Sequence, residues 1–278
     1  MSNIKPLDIA LIGCGKMGSA MLKGWLDSKI IGRTFIIDPA GLPETFAEYA
    51  PNPVTAYKSV TAFADADIHA DIFVMATKPQ IMAEVCKQLA PVLPRTALIM
   101  SIAAGQTITN FEKAFGETQP IIRAMPNTPS AIGQGISVAV ANPHASDDHK
   151  QQTTKLLEAI GMVEWMDDED LLNAVTALSG SGPAYVFLLI ETMAKAGVHC
   201  GLSEELATRL ARQTVIGSAN LAKAEPQTEA ATLRQNVTSP GGTTEAALKV
   251  LMADDGIQKL FDKALTAARD RGIELSSK

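Results

Sequence analysis

The sequence predicts an α/β protein in which a mostly parallel sheet domain is followed by an all-helical domain. Short apolar runs alternate with helix-like segments as far as Trp165, and strand patterns stop there. Long segments with helical spacing then fill the rest of the chain. Strands that alternate with crossover helices indicate a parallel sheet that is covered on both faces. We therefore expect a sheet domain over residues 1–166 and a helical domain over residues 167–278.

The expected strands are short apolar runs, most of which end at small or turn-forming residues. They are predicted at residues 7–13, 34–37, 71–76, 97–102, 120–125 and 136–140. Helical spacing over residues 17–26 and 81–89 supplies two of the crossover helices.

The helices of the second domain are expected from their start signals and apolar spacing. Acidic residues open the first segment, Pro183 suits a first helical turn, and Ser203 precedes Glu204 and Glu205 as an N-cap. The predicted helices cover residues 167–176, 183–198, 203–223, 244–253 and 257–271.

Composition excludes several classes of protein. The chain has 278 residues, 46% of them hydrophobic, and a net charge of −6 with a pI near 5.3. A nucleic-acid-binding surface is basic, so this charge argues against such a partner. The sequence has no run of 18 uninterrupted apolar residues, so we predict no membrane span. The chain is long enough to bury a large core without metal or disulfide staples.

Three cysteines, Cys14, Cys86 and Cys200, stand at unrelated spacings. They form neither a CxxC pair nor a cluster with histidine, so we predict no disulfide framework and no metal site. Reduced thiols are typical of a cytoplasmic protein, and the apolar run near the N-terminus is too short for a secretory signal.

The segment 183–198 is apolar on nearly every side, with Val186, Phe187, Leu188, Leu189 and Met193. A helix of this kind must be covered on most of its faces. A second subunit could supply the cover, which predicts a homodimer. The alternative is a central core helix in a monomer.

A glycine loop follows the first expected strand. Gly13, Gly15 and Gly18 fit the G-x-G-x-x-G pattern between a strand and a helix. The first glycine allows a tight turn, the second lets the backbone approach a pyrophosphate, and the third lets helix and strand pack closely. The helix N-terminus attracts the negative phosphates. The pattern therefore predicts a Rossmann-type domain that binds a nicotinamide dinucleotide, although a glycine turn without a ligand remains the alternative.

Asp38 ends the next expected strand, at the distance where an acidic residue receives a ribose hydroxyl. A carboxylate there repels a 2′-phosphate, and no Arg or Lys follows it directly. The cofactor is thus NADH or NADPH, with Asp38 favouring NADH. The alternative is that Asp38 merely starts a turn with Pro39.

Further strand ends carry residues suited to a site. Thr77, Lys78 and Pro79 follow the strand expected at 71–76, and Ala103 and Ala104 follow the strand expected at 97–102. Ligands of open parallel sheets bind beyond the carboxyl ends of the strands. Lys78 could meet a phosphate or simply be solvated. Asn127 could line a pocket or form a turn between two prolines.

No evident proton donor accompanies these residues. The histidines, His69, His144, His149 and His199, lie outside the glycine loops and the strand ends, and we interpret them as structural or surface residues. Hydride transfer to a carbonyl usually requires an acid at the oxygen. A protonated imine already carries its proton, so the missing acid favours an imine substrate.

Six motifs together resemble pyrroline-5-carboxylate reductase. They occur in that family's order as GCGKMG, ATKPQ, SIAAG, IIRAMPNTP, LSGSGPAYVF and LRQNVTSPGGTTEAAL, and they span nearly the whole chain. The last motif, at residues 233–248, is far more specific than the dinucleotide loop.

The resemblance implies the NAD(P)H-dependent reduction of 1-pyrroline-5-carboxylate to L-proline, the last step of proline biosynthesis. It also implies a helical domain that interlocks with a second subunit, in dimers that can assemble into a larger ring such as a decamer. Many members have Ser, Thr or Arg where this chain has Asp38, which leaves the choice of cofactor open.

The resemblance also assigns site residues by position. The cofactor-binding positions are Ile12, Gly13, Cys14, Gly15, Lys16, Met17, Gly18, Asp38, Ala76, Thr77, Lys78, Pro79, Ile102, Ala103, Ala104 and Asn236. The substrate-binding positions are Glu169, Asn236, Ser239, Gly241, Gly242, Thr243 and Thr244. Thr244 is similar to the threonine whose hydroxyl lies beside the ring nitrogen, and backbone amides from Ser239 to Thr243 would hold the carboxylate.

Two other readings fit parts of the sequence. A β-hydroxyacid dehydrogenase also joins a dinucleotide-binding domain to a helical one, but it requires a catalytic lysine. Lys195 is the candidate on the long helix and lacks that group's surrounding motif. A non-catalytic nucleotide sensor would keep the first glycine loop and could lose the second, whereas this chain has both.

Overall fold

The computed structural model describes residues 7–51 and 53–276. These residues form two compact units. The first unit runs as far as Gly180 and also includes the final segment from Ala268, and the second unit is Ser181–Ala267. The domain boundary between residues 166 and 167 stays a prediction.

The first unit contains, among the described residues, an eight-stranded sheet. Its strands are β1 (Leu7–Ile12), β2 (Ile31–Ile37), β3 (Val54–Tyr57), β4 (Ile72–Met75), β5 (Leu98–Ser101), β6 (Ile121–Met125), β7 (Gly135–Ala141) and β8 (Gly161–Trp165). All six predicted strands are confirmed. The prediction missed the short strands β3 and β8. Exposed positions in each of them interrupt the buried or half-buried positions, so neither forms an apolar run.

The strand order is β3-β2-β1-β4-β5-β6-β7-β8. Neighbouring strands are parallel except β6 and β7, which are antiparallel. The chain moves outward from β1 to β2 and β3, and then crosses back to β4 on the other side of β1. The carboxyl ends of β1 and β4 therefore form the switch point at which ligands of such sheets bind.

Helices connect the strands and make up the C-terminal part of the described chain. They are α1 (Lys16–Ser28), α2 (Val60–Ala64), α3 (Pro79–Leu89), α4 (Ile108–Phe115), α5 (Asp147–Glu158), α6 (Leu172–Val175), α7 (Gly182–His199), α8 (Glu204–Ala224), α9 (Ala230–Asn236), α10 (Thr243–Leu251) and α11 (Ile257–Ser276). Within the described residues, no strand follows β8. The predicted all-helical C-terminal region is thus confirmed, and α9 is a helix that the sequence prediction missed.

The predicted helix at 167–176 differs from the structure. A 3-10 turn at Glu169–Leu171 leads into the single turn of α6, and a π-helical turn at Thr176–Gly180 follows. Gly180 in this turn lies close to Met125, so that an added Cβ would stand 2.8 Å from the Met125 methyl carbon. The segment is therefore irregular where it packs beside the end of β6.

Helix α1 is fixed firmly to the sheet domain. Trp25 is fully buried, and its Nε1 donates a hydrogen bond of 2.9 Å to the Leu156 carbonyl on α5. Gly24 permits this approach, since a Cβ there would stand 2.7 Å from the Ala159 carbonyl oxygen. These contacts fix the C-terminal half of α1 against the end of α5.

The second unit contains a helix pair with many exposed apolar side chains. Helices α7 and α8 pack together, and Gly197 brings them close at Ala207. Phe187 and Leu188 on α7 are 65% and 59% exposed. By length and composition alone, the helical run Glu169–His199 could also cross a membrane, which is weak evidence because core helices of soluble proteins pass the same test.

Candidate active site

Each glycine of the first loop has the environment that its predicted task requires. Gly13 has a φ of +94°, and a Cβ there would lie 2.8 Å from the Ala76 carbonyl oxygen at the end of β4. A Cβ on Gly18 would lie 2.3 Å from the Gly13 carbonyl oxygen. Gly15 has open space around its missing Cβ, with no described atom within 4 Å. The loop is thus packed at its ends and open at its middle glycine.

Two backbone amides of this loop donate hydrogen bonds at the end of β2. The Gly13 amide donates to the Ile37 carbonyl over 3.0 Å, and the Cys14 amide donates to Asp38 Oδ2 over 2.8 Å. Asp38 Oδ1 accepts a further hydrogen bond from the Ala40 amide. The turn with Pro39 and a ribose-binding role are therefore compatible, because each carboxylate oxygen has a second lone pair.

A cavity of about 520 Å³ opens at the switch point. Seven of the predicted cofactor residues line it: Ile12, Gly13, Gly15, Asp38, Ala76, Thr77 and Lys78. Pro39, Ile37, Val60, Ile81 and Val85 add apolar or turn surface. Within the described chain, no side chain caps the N-terminus of α1 beside it, so the first amides of that helix remain available to an anion.

The cavity also includes two polar residues directly after β3 that the sequence analysis missed. Lys58 and Ser59 follow β3, and β3 pairs with β2 so that Tyr57 lies beside Ile37. Lys58 therefore brings a positive charge to the same pocket as Asp38. Recognition of β3 would have revealed this position, because it follows a strand end of the same sheet.

The remaining cofactor candidates of the first unit do not line this cavity. Cys14, Lys16, Met17 and Gly18 belong to the loop and the first turn of α1, and Pro79 begins α3. Residues 102–104 follow β5, the neighbour of β4. The Ala103 amide donates to Ser101 Oγ over 3.3 Å, which keeps this strand end compact.

Cys14 is shielded despite its place in the loop. Burial raises the pKa of its thiol, a hydrogen bond with Ser19 lowers it, and the nearby Asp38 charge raises it further. Burial likewise raises the pKa of Cys86 to about 11. Both thiols are therefore mostly protonated at neutral pH, which makes them poor nucleophiles.

The second glycine loop is closed on itself by hydrogen bonds. The Gly242 amide donates to the Ser239 carbonyl over 3.0 Å, and the Gly241 amide donates to the Glu245 carboxylate. Gly241 has a φ of +71°, which suits glycine. The Gly241 amide and the Lys249 ammonium hold the pKa of Glu245 below its usual range.

Thr243 and Thr244 are the first two residues of α10, directly after this loop. Their amides have no partner among the described residues, as is general for the first turn of a helix. Asn236 is the last residue of α9, on the other side of the loop. The substrate candidates Asn236, Ser239 and Gly241 to Thr244 thus form one continuous segment of the second unit.

Glu169 lies in the first unit and is engaged on one oxygen. Its Oε1 accepts hydrogen bonds from Arg123 on β6 and from the Ile108 amide, the latter over 2.7 Å. Arg123 is 9% exposed. The sequence analysis passed over Arg123, because only the fold brings it to Glu169.

Several other candidates have structural roles. The Asn127 side chain accepts from the Ile136 amide and donates to the Ser179 carbonyl. His149 Nδ1 accepts from the Ser146 amide in the capping box of α5. Lys195 is 69% exposed and pairs with Glu191, one turn away on the same helix. Among the described residues, no group of three His, Cys, Asp or Glu could hold a metal ion.

Comparison with known proteins accounts for both halves of the chain. A family model described as pyrroline-5-carboxylate reductase dimerisation matches residues 169–275. Another, described as NADP oxidoreductase coenzyme F420-dependent, matches residues 8–105. The pyrroline-5-carboxylate reductase of Pseudomonas aeruginosa is 42% identical over 268 residues, which cover 96% of each chain. The chain belongs to the pyrroline-5-carboxylate reductase family.

Solved structures of the family have the same fold. The pyrroline-5-carboxylate reductase of Coxiella burnetii is similar over 98% of this chain and 99% of its own, with a TM-score of 0.88 and 36% identity. The Plasmodium falciparum pyrroline carboxylate reductase, solved with NADP bound, covers 99% of both chains at a TM-score of 0.81 and 29% identity. The predicted family and fold class are therefore confirmed.

The second and third glycines of the first loop should respond differently to alanine. Gly15→Ala fits the space and the extended backbone (φ −69°), so the melting temperature should stay unchanged. Its methyl group would fill the approach of the dinucleotide and weaken NADH binding by about tenfold or more. Gly18→Ala collides with the Gly13 carbonyl and should lower stability by about 1–3 kcal/mol or more. Thermal unfolding and NADH titration of both variants test this, and equal effects on stability would contradict it.

Proposed function

We propose that this chain carries out its family's reaction with the two glycine loops described above. It is an NAD(P)H-dependent oxidoreductase that reduces 1-pyrroline-5-carboxylate to L-proline. The observation that carries this function is the similarity to pyrroline-5-carboxylate reductases over 96% of the chain. When bound, NADH or NADPH would supply the hydride for the imine carbon of the ring, and the ring nitrogen would keep the proton that it brought as an iminium ion.

The first unit binds the dinucleotide in the cavity at the switch point. The open space at Gly15 and the free amides of α1 receive the pyrophosphate. Asp38 and Lys58, which line the same cavity, receive the adenosine ribose. Ala103 and Ala104 follow the next strand end and provide small side chains for the flat nicotinamide ring.

The second loop binds the carboxylate of the substrate. The Gly241 and Gly242 amides are engaged within the loop, so the amides of Thr243 and Thr244 are the better donors to an anion. Ser239 and Asn236 supply further polar groups from the same segment. The Thr244 hydroxyl forms a hydrogen bond at the ring nitrogen and thereby orients the imine for the hydride.

The Thr244→Ala variant tests the role of this hydroxyl. Loss of a hydrogen bond to a charged group should lower kcat by about 10- to 100-fold, while the KM for NADH changes little. Thr244→Ser keeps the hydroxyl and should retain most of the turnover, and Thr243→Ala is the neighbouring control. Unchanged turnover in Thr244→Ala would remove Thr244 from the mechanism.

The choice between NADH and NADPH follows from the two charges at the cavity. We infer that Asp38 favours NADH, since it repels a 2′-phosphate. Lys58 offers that phosphate a cation, so the discrimination should be moderate.

Steady-state reduction of pyrroline-5-carboxylate with each cofactor tests both the activity and this preference. The wild type should turn over with both cofactors and have the higher kcat/KM with NADH. Asp38→Ser should improve NADPH relative to NADH, and Lys58→Ala should weaken NADPH use more than NADH use. A strong wild-type preference for NADPH contradicts the Asp38 assignment, and oxidation of neither cofactor contradicts the activity.

We infer that the second unit forms a homodimer through the apolar faces of α7 and its neighbours. No α7 residue is buried within the described chain, although the helix is rich in large apolar side chains. A family model named for dimerisation covers this region. A subunit interface accounts for the hydropathy of Glu169–His199 without a membrane, and the absence of paired cysteines fits a cytoplasmic enzyme.

Sedimentation velocity without detergent tests the dimer. The wild type should sediment as a dimer or as a ring of dimers such as a decamer, and Phe187→Glu should release monomers because it places a charge in the apolar face. Lys155→Glu, an exposed change on α5, is the control and should leave the assembly intact. A monomeric wild type, or one that stays in solution only with detergent, contradicts the proposal.

A further inference from the structure

Arg123 and Glu169 form a partly buried ion pair. Arg123 lies on β6, and its side chain is 10% exposed, while that of Glu169 is 24% exposed. A buried ion pair contributes little to stability on average, because both charges lose their hydration. Stability therefore gives little reason for this pair, and its surrounding contacts point to a more specific role.

The hydrogen bonds of Glu169 are unequally divided between its two oxygens. Oε1 accepts both from Arg123 Nη1 and from the Ile108 amide at the start of α4. Oε2 has no hydrogen-bond partner within residues 7–51 and 53–276. One oxygen is thus anchored from two sides, and the other is left to accept a further donor.

The anchor is rigid because both of its donors belong to regular structure. Arg123 lies beside Ser101 in the register of β5 and β6. Thr107 caps the same helix start by accepting from the Asn110 amide, so that the amides of Ile108 and Asn110 are both satisfied. Glu169 itself begins a 3-10 turn that Asp168 caps.

The pair lies close to strand ends already assigned to the cofactor. Ser101 is the last residue of β5 and directly precedes residues 102–104. Glu169 is therefore held near the end of β5 by a strand on one side and a helix N-terminus on the other.

We propose that Arg123 is a positioning residue for the reduction: it holds Glu169 by Oε1 so that the negative charge on the unengaged Oε2 stabilises the protonated form of the cyclic imine. A carboxylate favours the cationic form of the imine over the neutral one. Arginine suits the task because its guanidinium stays charged at all relevant pH values and has donors in a fixed plane. The inference rests on the proposed substrate role of Glu169.

A double-mutant cycle separates this role from a merely structural one. Arg123→Gln should raise the KM for pyrroline-5-carboxylate by about tenfold or more, since the loss of a charge-assisted hydrogen bond frees the Glu169 side chain. The KM for NADH should stay within about twofold, because the cofactor cavity is lined by other residues. Arg123→Lys keeps the charge and should recover much of the loss.

The decisive comparison is Glu169→Gln with and without Arg123→Gln. If Arg123 acts through Glu169, the double variant should have the same substrate KM as Glu169→Gln alone. Effects that multiply would overturn the proposal, as would a substrate KM unchanged in both single variants. The control is Arg33→Gln, which breaks the ion pair with Asp8 on β1 and should leave the substrate KM unaltered.

Two further readouts keep the outcomes distinct. Thermal unfolding and NADH titration identify a variant that fails to fold, and then Arg123→Lys and Glu169→Gln carry the test. A lowered melting temperature with a normal substrate KM in these variants would make the pair structural only and overturn the proposal. Turnover of the wild type with pyrroline-5-carboxylate is measured first, so a failure of the reductase activity is recognised separately.

Discussion

The close approach of Gly18 to the Gly13 carbonyl is the constraint on which the first unit's site depends. Only glycine fits at Gly18, because a Cβ would stand 2.3 Å from that oxygen. The contact lets α1 start immediately at the end of β1, and Trp25 locks the helix further along by its bond to Leu156. The helix amides therefore point at the switch point between β1 and β4. Asp38, Lys58 and Thr77 then line the cavity in front of them.

The two glycine loops are similar in sequence, but their hydrogen bonds differ in a way that fits the different ligands proposed for them. The first loop is open at Gly15 and leaves the amides of α1 uncapped within the described chain. In the second loop, two backbone amides are already engaged by the same segment, since Gly241 donates to the Glu245 carboxylate and Gly242 donates to the Ser239 carbonyl. It therefore offers an anion only the amides at the start of α10. That smaller set of donors suits a single carboxylate better than a pyrophosphate.

The large apolar side chains of the helical unit are incompletely covered within a single subunit. Its helices pack at Gly197 and through the edge contact of Tyr185 with Phe261, yet large side chains of α7 stay exposed. Apolar surface of this extent in a monomer marks an interaction site. In the proposed homodimer, the hydrophobic effect would bring this unit against a second copy.

The sequence by itself determined the elements whose signals are local. The glycine spacing, the apolar strands and the caps at Pro183 and Ser203 each depend on neighbouring residues, so the fold class and the first loop were predictable. Asp38 was predictable in the same way, because its separation from Gly18 along the sequence is part of the dinucleotide-binding pattern. The family motif at residues 233–248 likewise lies in one continuous stretch.

Only the tertiary structure decided which distant residues meet. Lys58 reaches the cavity because β3 pairs with β2, and β3 mixes buried and exposed positions, so its sequence shows no apolar run. Arg123 meets Glu169 across 46 positions of sequence. The engagement of the Gly241 amide by Glu245 depends on a side-chain conformation that spacing does not set. Each of these contacts is selected by packing and charge in three dimensions, which a one-dimensional pattern does not contain.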